Sequence, residues 1–253
     1  MFLTGDSACG RLAVRRTEYL KDSETTKPRT KKAEETRTRI LEAALTLFRE
    51  VGYEKATMRV IAERAGVSVG NAYYYFKSKE ELTQAFYFRT HEEHLAVALP
   101  GLEGKKTLEQ RLRVGMETKL ETIEPYHSFS SVLFKAAVDP KSPLNPFSAE
   151  SAPVREEAIE LFDAIVEGSS QKIPKDLRGD LPELLWMWHM SIILYWIHDD
   201  SEERWRTRRL MERTSSIVLT LIKISGLPLI GPLRRSALKL IKELKSDVRP
   251  ATD

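Results

Sequence analysis

Residues 57–82 read TMRVIAERAGVSVGNAYYYFKSKEEL, and few folds accommodate that order. Thr57 is suited to a helix N-cap, because its hydroxyl accepts from the orphan N–H groups of a first turn. Val60, Ile61 and Ala65 then fall on one face of a short helix, expected to point inward. Gly66 suits a tight turn, since it adopts positive φ without a Cβ clash. Ser68 can cap a second short helix that carries Val69, Gly70, Asn71 and three consecutive tyrosines, Tyr73 to Tyr75. Helix, glycine turn, helix at this spacing predicts a helix-turn-helix unit.

In such a unit the second helix enters the DNA major groove, led by its N-terminal residues. That use accounts for an unusual composition. Gly70 lets the backbone approach closely, with Ser68 and Val69 in the leading turn. Asn71 can read a base edge or bind a phosphate. Tyr73 and Tyr74 offer hydroxyls to phosphates and rings to sugars. The helix N-termini favour phosphate oxygens, and Lys77 and Lys79 add charge beside them. Thr57 and Arg59, on the preceding helix, complete the expected contact set. Tyr75 and Phe76 are expected to anchor the unit in its core.

These residues closely resemble the DNA-binding motif of TetR-type (TetR/AcrR) transcriptional regulators. The preceding TRTRILEAALTLFREVGYEKAT resembles that family's first helix, so the likeness spans roughly residues 34–85. One departure is Tyr75, where many members carry histidine before the phenylalanine. The resemblance implies an all-α fold, with a three-helix DNA-binding domain followed by a divergent helical ligand-binding and dimerisation domain. It also implies a dimer that binds double-stranded DNA at a palindromic operator, answers to a small-molecule effector, and acts as a repressor.

The remaining chain is read as helices. Ile40, Ala44, Leu47 and Val51 keep helical spacing, and Gly52 ends that run. Ser78 with Glu81, and Thr107 with Gln110, form capping pairs. The first of these helices is expected to stop at Ala98, before Pro100 and Gly101. Further helices are expected near 126–138, 152–170, 181–198, 202–225 and 232–246, giving nine or ten in all. The expected organisation is a disordered basic tail (1–30), a helix-turn-helix domain (31–80), a ligand-binding and dimerisation domain (81–226) and a C-terminal amphipathic extension (227–253). Leu233, Ala237, Leu240 and Leu244 share one face of that extension. The basic run Lys27 to Arg39 could embrace DNA.

LLWMWHMSIILYWI, residues 184–197, is apolar almost all round, so its helix should be covered on both sides. It is shorter than the roughly 20 apolar residues of a membrane span, and no membrane partner is expected. By the resemblance, this helix packs on the ligand cavity and on a partner subunit. Trp188, Tyr195 and Trp196 are candidate cavity walls, with His189 or His198 to orient a polar group, which favours a mainly apolar or aromatic effector. On the next helix Leu210, Thr214, Ile217, Leu221 and Ile224 alternate at four and three, a heptad-like seam expected to join two subunits.

Charge and cysteine usage narrow the remaining classes. Residues 1–80 hold 16 Lys/Arg against 11 Asp/Glu, a balance of +5, while residues 81–253 hold 24 against 26, a balance of −2. Positive charge at one end suits an anionic partner. Cys9 is the only cysteine, so a disulfide within the chain and a thiolate metal cluster are excluded, which fits a reducing cytoplasm. HEEH at 91–94 has the wrong spacing for the zinc-protease motif, and GLEGKKT at 101–107 lacks the glycine and hydroxyl of a phosphate loop. No catalytic residue, metal site or cofactor is expected, and an enzyme is disfavoured.

Overall fold

The computed structural model describes residues 30–245. The expected tail and Cys9 lie outside the described residues, as does the side chain of Leu244. Among the described residues every regular element is helical. There are eleven α-helices: α1 Lys31–Val51, α2 Met58–Arg64, α3 Val69–Tyr75, α4 Lys79–Gly101, α5 Leu108–Ile123, α6 His127–Ala137, α7 Ala152–Glu167, α8 Lys175–Arg178, α9 Leu181–Ile197, α10 Trp205–Ser225 and α11 Gly231–Lys245. Ten of them match the runs read from the sequence, and the four-residue α8 is the addition.

The helix starts follow from local chemistry. Thr30 caps α1 by accepting from the Ala33 N–H at 3.3 Å. The α1 helix stops at Gly52, whose φ of +84° carries the chain out of the helix. Ser78 accepts from the Glu81 N–H at 3.2 Å, and the Glu81 carboxylate accepts in return from the Lys77 N–H. Thr107 and Gln110 make the reciprocal pair at the head of α5, at 3.2 and 3.4 Å. One boundary differs from expectation: α4 continues through Pro100 to Gly101. A proline this close to a helix end removes a single ladder bond and is tolerated there.

The chain forms two compact units, one of residues 30–101 and 117–161, the other of 102–116 and 162–245. The first is built around Ile40, Phe48, Ile61, Ala72, Phe76, Leu82 and Phe86, joined by Leu133 and Leu144. This core holds α1, α2, α3 and the start of α4 together. Val60, expected to face inward, is exposed, as is Val51 at the end of the apolar run on α1, because each sits at the solvent edge of its helix's buried stripe.

In the second unit α9 packs on α10, and α8 lies against α11. Arg111 is buried and donates to the carbonyls of Ile165 and Ala164 at 2.9 Å and of Leu102 at 3.0 Å. A Cβ at Gly168 would collide with that guanidinium, which these carbonyls and that of Lys105, at 3.1 Å, hold in place. Asp199 is also buried and organises the entry to α10, accepting from the Thr207 N–H at 2.8 Å and the Thr207 hydroxyl at 2.7 Å. The α11 helix buries Leu238, while Leu233, Ala237 and Leu240 are exposed. Its apolar face therefore points away from the unit, and ion pairs such as Arg234–Asp176 at 3.0 Å tie it down.

Candidate nucleic-acid interface

The helix-turn-helix forms as its sequence predicts. Thr57 caps α2, accepting from the Val60 N–H at 3.4 Å. Met58, Ile61 and Ala62 are buried, while Arg59 is exposed. Gly66 turns the chain at φ +65°, and the Val67 N–H returns to the carbonyl of Ala62 at 3.0 Å. Ser68 caps α3, accepting from the Asn71 N–H at 3.1 Å. Across α3 the faces separate cleanly. Ala72 is buried and Phe76, just past the end, has no exposed surface. Tyr75 packs on the core and meets Tyr74 edge to face, with ring centres 5.2 Å apart. Tyr74 is 71% exposed and Tyr73 45% exposed. Ser68, Val69, Gly70, Asn71 and Lys77 are exposed beside them. Two of the three consecutive tyrosines therefore face solvent, and the third anchors the helix.

Polar contacts brace this unit from behind. Arg64, at the end of α2, donates to both carboxylate oxygens of Glu50 on α1, at 2.7 and 3.3 Å. Lys79, the first residue of α4, donates to the Tyr53 carbonyl at 2.7 Å and lies over the Tyr53 ring. The Tyr53 hydroxyl donates to Glu80 at 2.9 Å, and burial together with that carboxylate raises the phenol's pKa. Arg89 pairs with Glu42, joining α4 to α1. Lys77 donates to the Tyr73 carbonyl at 3.2 Å but remains exposed.

Four of the candidate effector residues divide between two faces of α9. His189 and Trp196, seven apart, are buried, with the His189 ring centre 5.5 Å from that of Phe162. Trp188 and Tyr195 lie on the other face. The Trp188 indole N–H donates to the Thr214 hydroxyl on α10 at 3.1 Å, and Tyr195 is exposed. The candidate seam on α10 divides too. Leu210 and Thr214 are partly covered within the chain, while Ile217 and Leu221 are 58% and 55% exposed and Ile224 is also exposed. Met187 and Leu194 on α9 are also exposed.

A polar cluster lies inside the first unit, where sequence spacing drew attention only to HEEH. His91 and His94 on α4 are both buried, with ring centres 6.4 Å apart. The His91 Nε2 is 3.4 Å from a carboxylate oxygen of Glu157 on α7. Among the described residues no group of side chains is arranged to hold a metal ion.

A capped helix-turn-helix, its second helix turning an amide and two phenols to solvent, followed by a chain that is helical throughout, defines a DNA-binding transcriptional regulator. Residues 40–86 match the family described as "Bacterial regulatory proteins, tetR family", and residues 111–244 match "Tetracyclin repressor-like, C-terminal domain". The chain belongs to the TetR family of transcriptional regulators.

Its curated relatives include the HTH-type transcriptional regulator UidR of Escherichia coli (strain K12), 42% identical over 72 residues, or 28% of this chain and 37% of the relative. Another is the HTH-type transcriptional repressor KstR2 of Rhodococcus jostii (strain RHA1), 34% identical over 96 residues, or 36% of this chain and 45% of the relative. The matches thus span less than half the length of these two relatives. The fold extends further: a TetR transcriptional regulator from Nitrosomonas europaea ATCC 19718 superposes with a TM-score of 0.55 at 18% identity, covering 72% of this chain and 96% of that one.

Proposed function

We propose that the protein is a ligand-responsive repressor that binds a palindromic operator as a homodimer and is released by a small, mainly apolar or aromatic effector. It works in the cytoplasm. The exposure of Asn71, Tyr73 and Tyr74 on a helix pinned from behind by Ala72 and Phe76 carries this reading. A core would bury those rings, and a solvated loop would not hold them rigid. Asn71 reads a base edge. Tyr73, Tyr74, Ser68 and Thr57 meet phosphates and sugars, with Arg59, Lys77 and Lys79 adding charge. Val69 and Gly70 allow the helix to seat closely. The name of KstR2 supports the repressor assignment.

Ile217, Leu221 and Ile224 form the centre of the dimer contact, with Leu210 and Thr214 at its covered margin. Exposed apolar side chains on adjacent helices are what a subunit seam requires. Two reading heads related by a two-fold axis need half-sites about 34 to 36 Å apart, or a multiple of that. Selection on random duplex DNA, followed by footprinting, tests the reading. An inverted repeat at that spacing is expected, with binding that falls steeply as salt rises. Enrichment of no sequence, or binding insensitive to salt, overturns it.

A further inference from the structure

We propose that residues 223–243 form a docking surface for an anionic phospholipid bilayer, which its leucines enter and its cations hold. The proposal stands apart from the operator and effector readings.

The connection from α10 to α11 and the outer face of α11 are bare and apolar. Leu229 is 92% exposed and Leu233 68%, and Leu227 and Leu240 are exposed beside them. Ala237 is exposed between Leu233 and Leu240. Leu233, Ala237 and Leu240 follow one another at four and three, a single stripe along the helix. The opposite side of α11 is already engaged. Leu238 is buried, Arg234 pairs with Asp176 at 3.0 Å, and Lys242 stands 4.0 Å from Asp180. The helix is therefore held by its back, with the stripe turned outward. A contiguous apolar surface rimmed by polar groups marks an interaction site.

Charge selects the occupant. From Lys223 to Glu243 the sequence holds five Lys/Arg against one carboxylate, Glu243, a balance of +4. Lys223, Arg235, Lys239 and Lys242 are exposed. Arg235, Lys239 and Lys242 gather along one cleft beside the helix. Two copies meeting at this segment would set +4 against +4. The axis also turns by 96° between residues 202–225 and 228–243, so a seam along α10 does not continue along α11.

An anionic bilayer answers both features. Its acyl layer takes the leucines, and its phosphates attract the cations. The dimensions agree. A helix is about 10–12 Å across with its side chains, and an interfacial helix sinks about 5–10 Å. With the stripe immersed, cations on the flank and back stay at headgroup level, on stems long enough to reach phosphate. The contact is peripheral, since no single helix among the described residues is long and apolar enough to cross a membrane.

Flotation of the full chain with vesicles tests this. One set is phosphatidylcholine alone, and the other is an equimolar mixture with phosphatidylglycerol. Binding is expected to the mixed vesicles only, and it should weaken as salt rises. Leu229→Ser with Leu233→Ser should weaken it about 10-fold or more, and Lys239→Gln about fivefold. Both alter exposed side chains and should match the wild-type circular dichroism. The DNA-reading head is also basic, so Arg59→Ala with Lys77→Ala is the control and should leave vesicle binding unchanged. No binding to mixed vesicles, or equal binding to both sets, overturns the proposal. So does undiminished binding in the leucine pair or in Lys239→Gln, or lost binding in the head control. A changed oligomeric state of the leucine pair in sedimentation also overturns it, and makes a second copy the occupant.

Discussion

The Lys79 ammonium donates to the main-chain carbonyl of Tyr53 at 2.7 Å and sits 4.2 Å from the centre of the same residue's ring. The first residue of α4 is thereby fixed to the segment joining α1 and α2. An ammonium has three donors, so the bond to Tyr53 presets Lys79 without exhausting it. Lys79→Ala is expected to weaken binding to all DNA sequences and to reduce the salt slope by about 1. Measuring affinity across a salt series checks both. Weaker binding with an unchanged slope would make Lys79 a clamp and not a phosphate contact.

Tyr74 and Tyr75 are adjacent in sequence and opposite in environment. Tyr74→Ala is expected to leave stability within about 0.5 kcal/mol of wild type, as exposed substitutions usually do. It should weaken operator binding by about 1–3 kcal/mol. Tyr75→Ala removes a ring from the core edge and should lower the unfolding midpoint first. Urea unfolding beside fluorescence anisotropy separates the two. Equal loss of stability in both variants would mean that the division across α3 is misread.

Leu221 is the central exposed residue of the α10 face. Leu221→Arg would place an unpaired charge inside a subunit contact, which costs several kcal/mol. Sedimentation should then report monomers with native helix content and weak DNA binding. A variant that still sediments as a dimer moves the seam elsewhere.

Asp199 gives the pH prediction. Burial alone would raise its carboxyl, but hydrogen bonds from Ser201 and Thr207 outweigh burial and hold it at about 2, below the usual 3.8. Because the folded pKa is the lower one, this contribution is complete above pH 3.8 and lost as pH falls toward 2. Linkage puts it at about 2 kcal/mol. Asp199→Asn should lower stability by about that much at pH 7, and the gap to wild type should narrow under acid. A gap that stays constant from pH 7 to pH 2.5 would contradict the assignment.

The sequence made the DNA-reading unit readable because its determinants are local. Thr57, Gly66, Ser68 and Ser78 each act within three or four residues of themselves. The four-residue α8 is too short to show any period. Val60 and Val51 look like core in a helical pattern, and their exposure depends on how α2 and α1 sit on their neighbours. The polar cluster was out of reach for another reason. His91 and Glu157 are far apart in the chain, and only packing brings them together. HEEH marked the place, but its spacing fits no metal motif and says nothing of what packs against it. The division of α9 into a buried His189–Trp196 line and an outer Trp188–Tyr195 line was equally hidden, because a helix apolar all round does not say which side its own chain covers.

The bare apolar stripe of Ile217, Leu221 and Ile224 has a consequence for gene dosage. If only paired chains occupy an operator, occupancy at low expression rises with the square of the number of chains made. Halving synthesis would then cut the active form about fourfold. If such a paired chain represses, a cell that lowers its production would relieve its targets more than in proportion, with no effector present.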